Sequence, residues 1–148
     1  MKYDITDFTG RQVTVSPRLA LYAVKDFMGT ELPGLAIILD DVTDPSEPEQ
    51  YAVLTVSFGE FIGMKNCAYI DTNNCDFADQ LQSQGLASDT GFYKASGFCK
   101  YPLWQFEEGA LREIDNDVYQ KYSDAYDGYM ASMYGGEPDE DGIKEFSL

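Results

Sequence analysis

Leu35-Ala36-Ile37-Ile38-Leu39 and Tyr51-Ala52-Val53-Leu54-Thr55-Val56-Ser57-Phe58 are the two stretches on which the fold turns. The first is short, apolar and rich in β-branched residues, the pattern of a buried strand. The second is long and alternates well, and reads as the clearest strand of the chain. Residues 40–50 between them hold Asp40, Asp41, Asp44, Glu47 and Glu49 with Pro45 and Pro48, the composition of an exposed loop. An antiparallel pair joined by that loop is predicted. The prolines, and the lack of a glycine at the sharp turn, do not match an EF-hand, so no metal is expected there.

Upstream, Gln12-Val13-Thr14-Val15 alternates like a strand that Pro17 interrupts. Leu19 to Phe27 forms a second extended run, apolar on both faces and therefore expected to be central or covered on both sides. Downstream, Ala68, Tyr69 and Ile70 read as a short strand that stops at Asp71, Thr72, Asn73 and Asn74, all turn and capping residues. A short helix is expected after Asn74, with Phe77, Ala78 and Leu81 at helical spacing and Gly85 as its stop. The polar run is expected to cap that helix and brace the Ser96-Gly97 segment. Residues 96–106 read as a last strand, and Pro102 argues that it is an edge or bulged one.

A longer C-terminal helix is predicted over about 115–134. Asp115 is its N-cap, Asp117 lies in its first turn, and Gly135-Gly136 ends it. Val118, Tyr122, Ala125, Tyr129 and Met133 form its apolar stripe, with Tyr119, Tyr126 and Met130 at the flank. Gln120, Ser123, Asp124, Asp127 and Ala131 take the wet face. The whole reads as one α+β domain over residues 1–136, mainly an antiparallel sheet of about five to six strands. An acidic flexible tail follows over residues 137–148.

Charge is the extreme property. The 26 acidic residues oppose 10 basic ones, for a net charge of −16 over 148 residues. From Glu107 onward, twelve acidic residues face Arg112, Lys121 and Lys144, a net of −9. Such a chain repels nucleic acid and anionic membranes and attracts basic partners. No apolar run approaches the ~20 residues of a membrane span, and a cytoplasmic protein is expected. Cys67, Cys75 and Cys99 lack paired spacing, so reduced thiols are expected, with Cys99 buried in the last strand.

The absence of histidine removes Ser-His-Asp and Cys-His catalysis and histidine-ligated zinc. Phosphate-binding glycine patterns are missing. The expectation is a non-enzymatic protein without cofactor or metal.

Three stretches carry a resemblance. They are residues 35–39 with 51–56, then Asp71-Thr72-Asn73-Asn74, then Ser96-Gly97-Phe98-Cys99 with Tyr101-Pro102-Leu103. In order and spacing they are similar to an uncharacterised bacterial family, domain of unknown function 4313, over roughly residues 19–106. The N-terminal residues and the final helix lie outside it. Where many relatives have Asn after the Thr-Val of the long strand, this chain has Ser57. The resemblance implies a habitat on mobile elements of gut bacteria, and no activity.

Two functional expectations follow. In the first, the protein inhibits a host defence of anti-restriction or anti-CRISPR type by mimicking nucleic acid. It would bind a basic nucleic-acid-binding protein through Asp115, Asp117, Asp124 and Asp127, and would not bind nucleic acid itself. In the second, it is a small ligand- or peptide-binding module whose site is Asp71, Thr72, Asn73, Asn74 and Ser96. A continuous carboxylate stripe favours the first, and solvent-facing aromatics beside that turn favour the second.

Overall fold

A computed structural model of the protein describes residues 1–135. Eight strands and two helices follow in the order β1 (Tyr3–Thr6), β2 (Gln12–Lys25), β3 (Glu31–Asp41), β4 (Glu49–Val53), β5 (Thr55–Val56), β6 (Cys67–Ile70), α1 (Ala78–Ser83), β7 (Ala87–Ser96), β8 (Cys99–Phe106) and α2 (Glu108–Met130). A π-helical turn, Ala131–Gly135, extends α2. The fold is α+β, and its strands form two four-stranded antiparallel sheets, β1-β2-β3-β4 and β5-β6-β8-β7, instead of one sheet of five or six. Gly136 and the predicted acidic tail lie outside the described residues.

The second sheet arises because the long strand at residues 51–58 breaks at Leu54. Its first half pairs with β3, Ile38 facing Val53, and its second half pairs with β6, Thr55 facing Ile70. Leu54 donates its N–H to Ile37 O (2.9 Å) in the first sheet and accepts from Asp71 N (2.8 Å) at the end of the second. Buried Thr55 adds a second link, its Oγ1 accepting from Ile37 N at 3.1 Å. One extended segment thus turns a corner between the sheets, and its unbroken alternation conceals the corner.

The two upstream runs fuse into the 14-residue β2, which lies between β1 and β3. Pro17 is tolerated because the β1 ladder ends at Val15. Burial on β2 moves from odd positions (Val13, Val15, Leu19) to Val24 at its far end. The odd set joins the main core with Leu35, Ile37 and Leu39, while Val24 joins Leu32 and Tyr129 in a smaller cluster.

Strand β8 is interior, not an edge: β6 pairs along Leu103, Trp104 and Gln105, and β7 on both sides of Leu103, which lies opposite a bulge in β7. Pro102 lies just past the last β6 pair, so no bond with β6 is lost there. Ser96 closes β7, Cys99 opens β8, and Gly97-Phe98 forms the tip between them. Cys99 is accordingly half-exposed. Cys67 and Cys75 are the buried thiols, and burial pushes the pKa of each up to about 11. All three are free.

Helix α2 starts seven residues before its predicted cap. Its backbone leaves the helical region at Asp115 (φ −163°, ψ 97°), where Asp115 Oδ1 accepts from Val118 N at 3.1 Å. The predicted cap is therefore real, but it restarts a helix already begun at Glu108. Downstream of it the buried face is Tyr119, Tyr122, Ser123, Tyr126 and Tyr129. The stripe is thus rotated from the predicted one, burying Ser123 and leaving Val118 half-exposed.

Candidate functional site

Residues 57–66 cross from β5 to β6 without regular structure, and four tyrosines of α2 hold this loop and the hairpin beside it. Tyr119 Oη donates to Asn66 Oδ1 (2.7 Å), and Tyr122 Oη accepts from Asn66 N (2.9 Å). Tyr126 Oη donates to Gly63 O (2.9 Å), and Tyr129 Oη donates to Asp26 Oδ2 (2.6 Å) on the β2–β3 turn. That last bond pushes the Tyr129 hydroxyl up to about 12 and holds the Asp26 carboxyl below its ordinary value. Asn66 has φ +67°, a conformation Asn tolerates better than most side chains. The loop is pinned at its other end by Lys25, which exchanges backbone bonds with Gly59 O (3.0 Å) and Phe61 N (2.9 Å). Lys94 Nζ reaches Glu60 at 2.7 Å, and Lys65 Nζ reaches Asp127 at 2.9 Å.

The sequence places these tyrosines on or beside the apolar stripe, but does not by itself assign the hydroxyls their partners. The signal was present: a buried helix face made of Tyr instead of Phe carries phenolic O–H groups that each need a partner.

The pinned loop forms a ridge between two open grooves. One, of about 770 Å³, is lined by Phe27, Phe61, Met130 and Tyr134. The other, of about 460 Å³, is lined by Ile62, Met64, Leu103, Phe92 and Tyr93. Glu60, Phe61 and Gly63 line both. Around them Phe27 is 81% exposed, Phe92 62%, Tyr93 56% and Tyr134 70%.

The carboxylates expected to form one acidic surface have separate tasks. Asp115 caps the second segment of α2, and Asp127 is held by Lys65. Asp124 accepts from Gln120 Nε2 at 2.8 Å, and Asp117 is exposed. Arg112 divides the stripe, bonding Glu108, Asn116 and Gln120 while lying over the Tyr119 ring.

The alternative turn is likewise occupied internally. Asp71 accepts from Asn74 N (3.2 Å) and Nδ2 (2.8 Å), and Thr72 Oγ1 donates to Lys100 O (3.3 Å). Asn73 is exposed. The turn does not cap α1: Phe77 is the N-cap and no side chain bonds the helix start. Nor does it bond Ser96, since its one tie to that hairpin runs to Lys100. These side chains close the turn itself instead, because the N-cap of the helix lies three residues past Asn74. Gly85 does stop α1, at φ +89°.

Among the described residues, no three His, Cys, Asp or Glu side chains converge on a metal site, and no helix is long and apolar enough to cross a membrane. No curated protein and no solved structure matches the chain. A family match covers residues 24–126, opening near the end of β2 and closing on Tyr126, so most of α2 lies inside the family and not outside it. The family is described as Domain of unknown function (DUF4313), and the chain belongs to it.

Proposed function

We propose that the protein is a non-enzymatic module that binds another protein through the aromatic surface around the 59–66 loop. The observation that carries this reading is the exposure of Phe27, Phe92, Tyr93 and Tyr134 on the two sides of one pinned ridge. At ~200 Å² per aromatic side chain, their exposed fractions amount to about 540 Å². A standard interface takes ~800 Å² from each partner, of which ~57% is apolar, or about 460 Å². The surface therefore offers the apolar area one side of such an interface needs. Its loop is already ordered, so little conformational entropy is lost on binding.

The second reading, charge mimicry on a mobile element, draws on the net charge of −16. On α2 the arithmetic is unfavourable. Six acidic and two basic residues leave −4 over its 23 residues. At 1.5 Å per residue that is one net charge per ~9 Å, against one per ~1.7 Å for duplex DNA.

A photo-crosslinking residue placed at Phe92, Phe27 or Asp117, in cells that naturally make the protein, separates the two readings. Adducts to a discrete protein from positions 92 and 27, persisting at high salt, are expected. Adducts from position 117 alone, lost at high salt, would favour mimicry. None from any position would remove protein binding altogether.

A further inference from the structure

We propose that the groove beside the β2–β3 turn takes an arginine side chain of the partner protein, held between aromatic rings and the Asp26 carboxylate. This rests on the binding-module reading and names the partner chemistry of that site.

Asp26 lines this groove together with Phe27, Phe61, Tyr129 and Tyr134. Its carboxylate accepts from Met28 N (2.9 Å), Thr30 N (2.8 Å) and the Tyr129 hydroxyl (2.6 Å). All three donors are neutral. They fix the group in place and favour its ionised form without cancelling its charge. Among the described residues, no Lys or Arg makes a salt bridge to it.

The other charges lining the groove are spent or turned away. Glu60 is paired with Lys94 at 2.7 Å and is not counted. Lys25 follows Val24, whose side chain packs with Leu32 and Tyr129. Side chains alternate along a strand, so Lys25 points to the opposite face. It lends the groove its backbone, which is bonded to Gly59 and Phe61. One negative charge is left uncancelled, and it lies among rings.

Rings and charge together select a cation. Phe61 and Tyr129 form a corner, 4.8 Å between centroids and 64° between planes, and the rings of Phe27 and Tyr134 are largely exposed. Aromatic faces attract cations, and the net charge of −16 draws them from solution. A guanidinium is more weakly hydrated than an ammonium, stacks on rings and carries N–H groups that reach a carboxylate, so arginine fits better than lysine. The second groove differs. Among the described residues Glu60 is its single charged lining residue, and Lys94 neutralises it, so apolar side chains of the partner fit there.

The probes are acetyl-Gly-Arg-Gly-amide and the same peptide with lysine or citrulline, titrated into the full chain and followed by NMR at each amide. Citrulline keeps the shape of arginine and removes its charge. The arginine peptide should shift Asp26, Phe27 and Phe61, with affinity about fivefold lower for citrulline and reduced less for lysine. Asp26→Asn keeps an oxygen for the turn N–H groups and should weaken the arginine peptide to a similar extent. Phe27→Ala, at an exposed position that folding does not require, should do the same. Glu47→Gln removes an exposed carboxylate on the β3–β4 connection and should change nothing. No shift with any peptide, equal binding by citrulline, no loss in either groove variant, or an equal loss in Glu47→Gln would overturn the arginine site. If crosslinks from position 27 still form under those outcomes, the module reading stands and only this inference falls.

Discussion

Replacing Asn66 by Gly tests whether the tyrosine clamp or the backbone dominates at the site. At φ +67° glycine is the conventional improvement. Relief of the left-handed backbone is worth up to ~1 kcal/mol for a tolerant residue such as Asn. The added freedom of the unfolded chain costs ~0.4–1 kcal/mol, so the backbone effects nearly cancel. What remains is the side chain: Asn66 Oδ1 accepts the Tyr119 hydroxyl at 2.7 Å, and Tyr119 is fully buried. Leaving that O–H without a partner costs ~1–3 kcal/mol. Asn66→Gly should therefore destabilise the protein by ~1–2 kcal/mol, a melting point lower by ~2–4 °C for each kcal/mol. In a Tyr119→Phe background the same substitution should be close to neutral, because both partners are then gone. Urea unfolding followed by the single, buried Trp104 gives all four corners of the cycle. Stabilisation by Asn66→Gly in the wild-type chain, or an equal loss in both backgrounds, would refute the clamp.

Leu54→Ala should cost ~2–5 kcal/mol in urea unfolding, since the side chain is fully buried where the extended segment passes between sheets. Asp115→Ala should cost ~1 kcal/mol as a lost N-cap, while Asp117→Ala stays within ~0.5 kcal/mol; equal effects would show that the cap is not a stabilising contact. Burial raises the Cys67 and Cys75 thiols from 9.0 to about 11, so between those values the unfolded chain loses protons that the folded chain keeps. Stability should therefore fall as pH rises above 9, and Cys67→Ala should flatten that decline in melting curves taken across the range.

Much of the fold was legible because the strands are punctuated by strong turn chemistry. The pairing of β3 with β4, the stop at Gly85 and the cap at Asp115 were all visible as local patterns. The corner at Leu54 was not, because alternation continues through it and only the partner strand changes. The start of α2 was hidden for the opposite reason: Glu108–Ile114 has no capping residue in front, Glu107 making no side-chain cap bond. The candidate site was the least legible part. Its ridge is an irregular loop with no motif, and its aromatics come from the β2–β3 turn, β7 and the end of α2. Only long-range packing brings them together.

Part of the acidic content, which dominates the composition, has a local explanation that changes where function should be sought. Asp7, Asp26, Asp41, Asp44 and Asp89 each accept the backbone N–H two residues onward; Asp41 ends β3 and the others lie in hairpin connections or in the bulge of β7. The pKa values of Asp7, Asp26, Asp41 and Asp44 are lowered, first by the hydroxyls of Thr9, Tyr129, Thr43 and Ser46 and then by backbone N–H groups, since both favour the ionised carboxylate. A chain of eight antiparallel strands needs many tight connections, and aspartate satisfies their backbone donors well. Asp40 and Asp41 serve β2 and its turn through Arg18 and Arg11, and Asp127 secures the loop through Lys65. These carboxylates are accounted for by folding before any partner is invoked. Phe27 and Phe92 in the two grooves are not: both stand exposed outside the core, at a cost in water that a partner would remove.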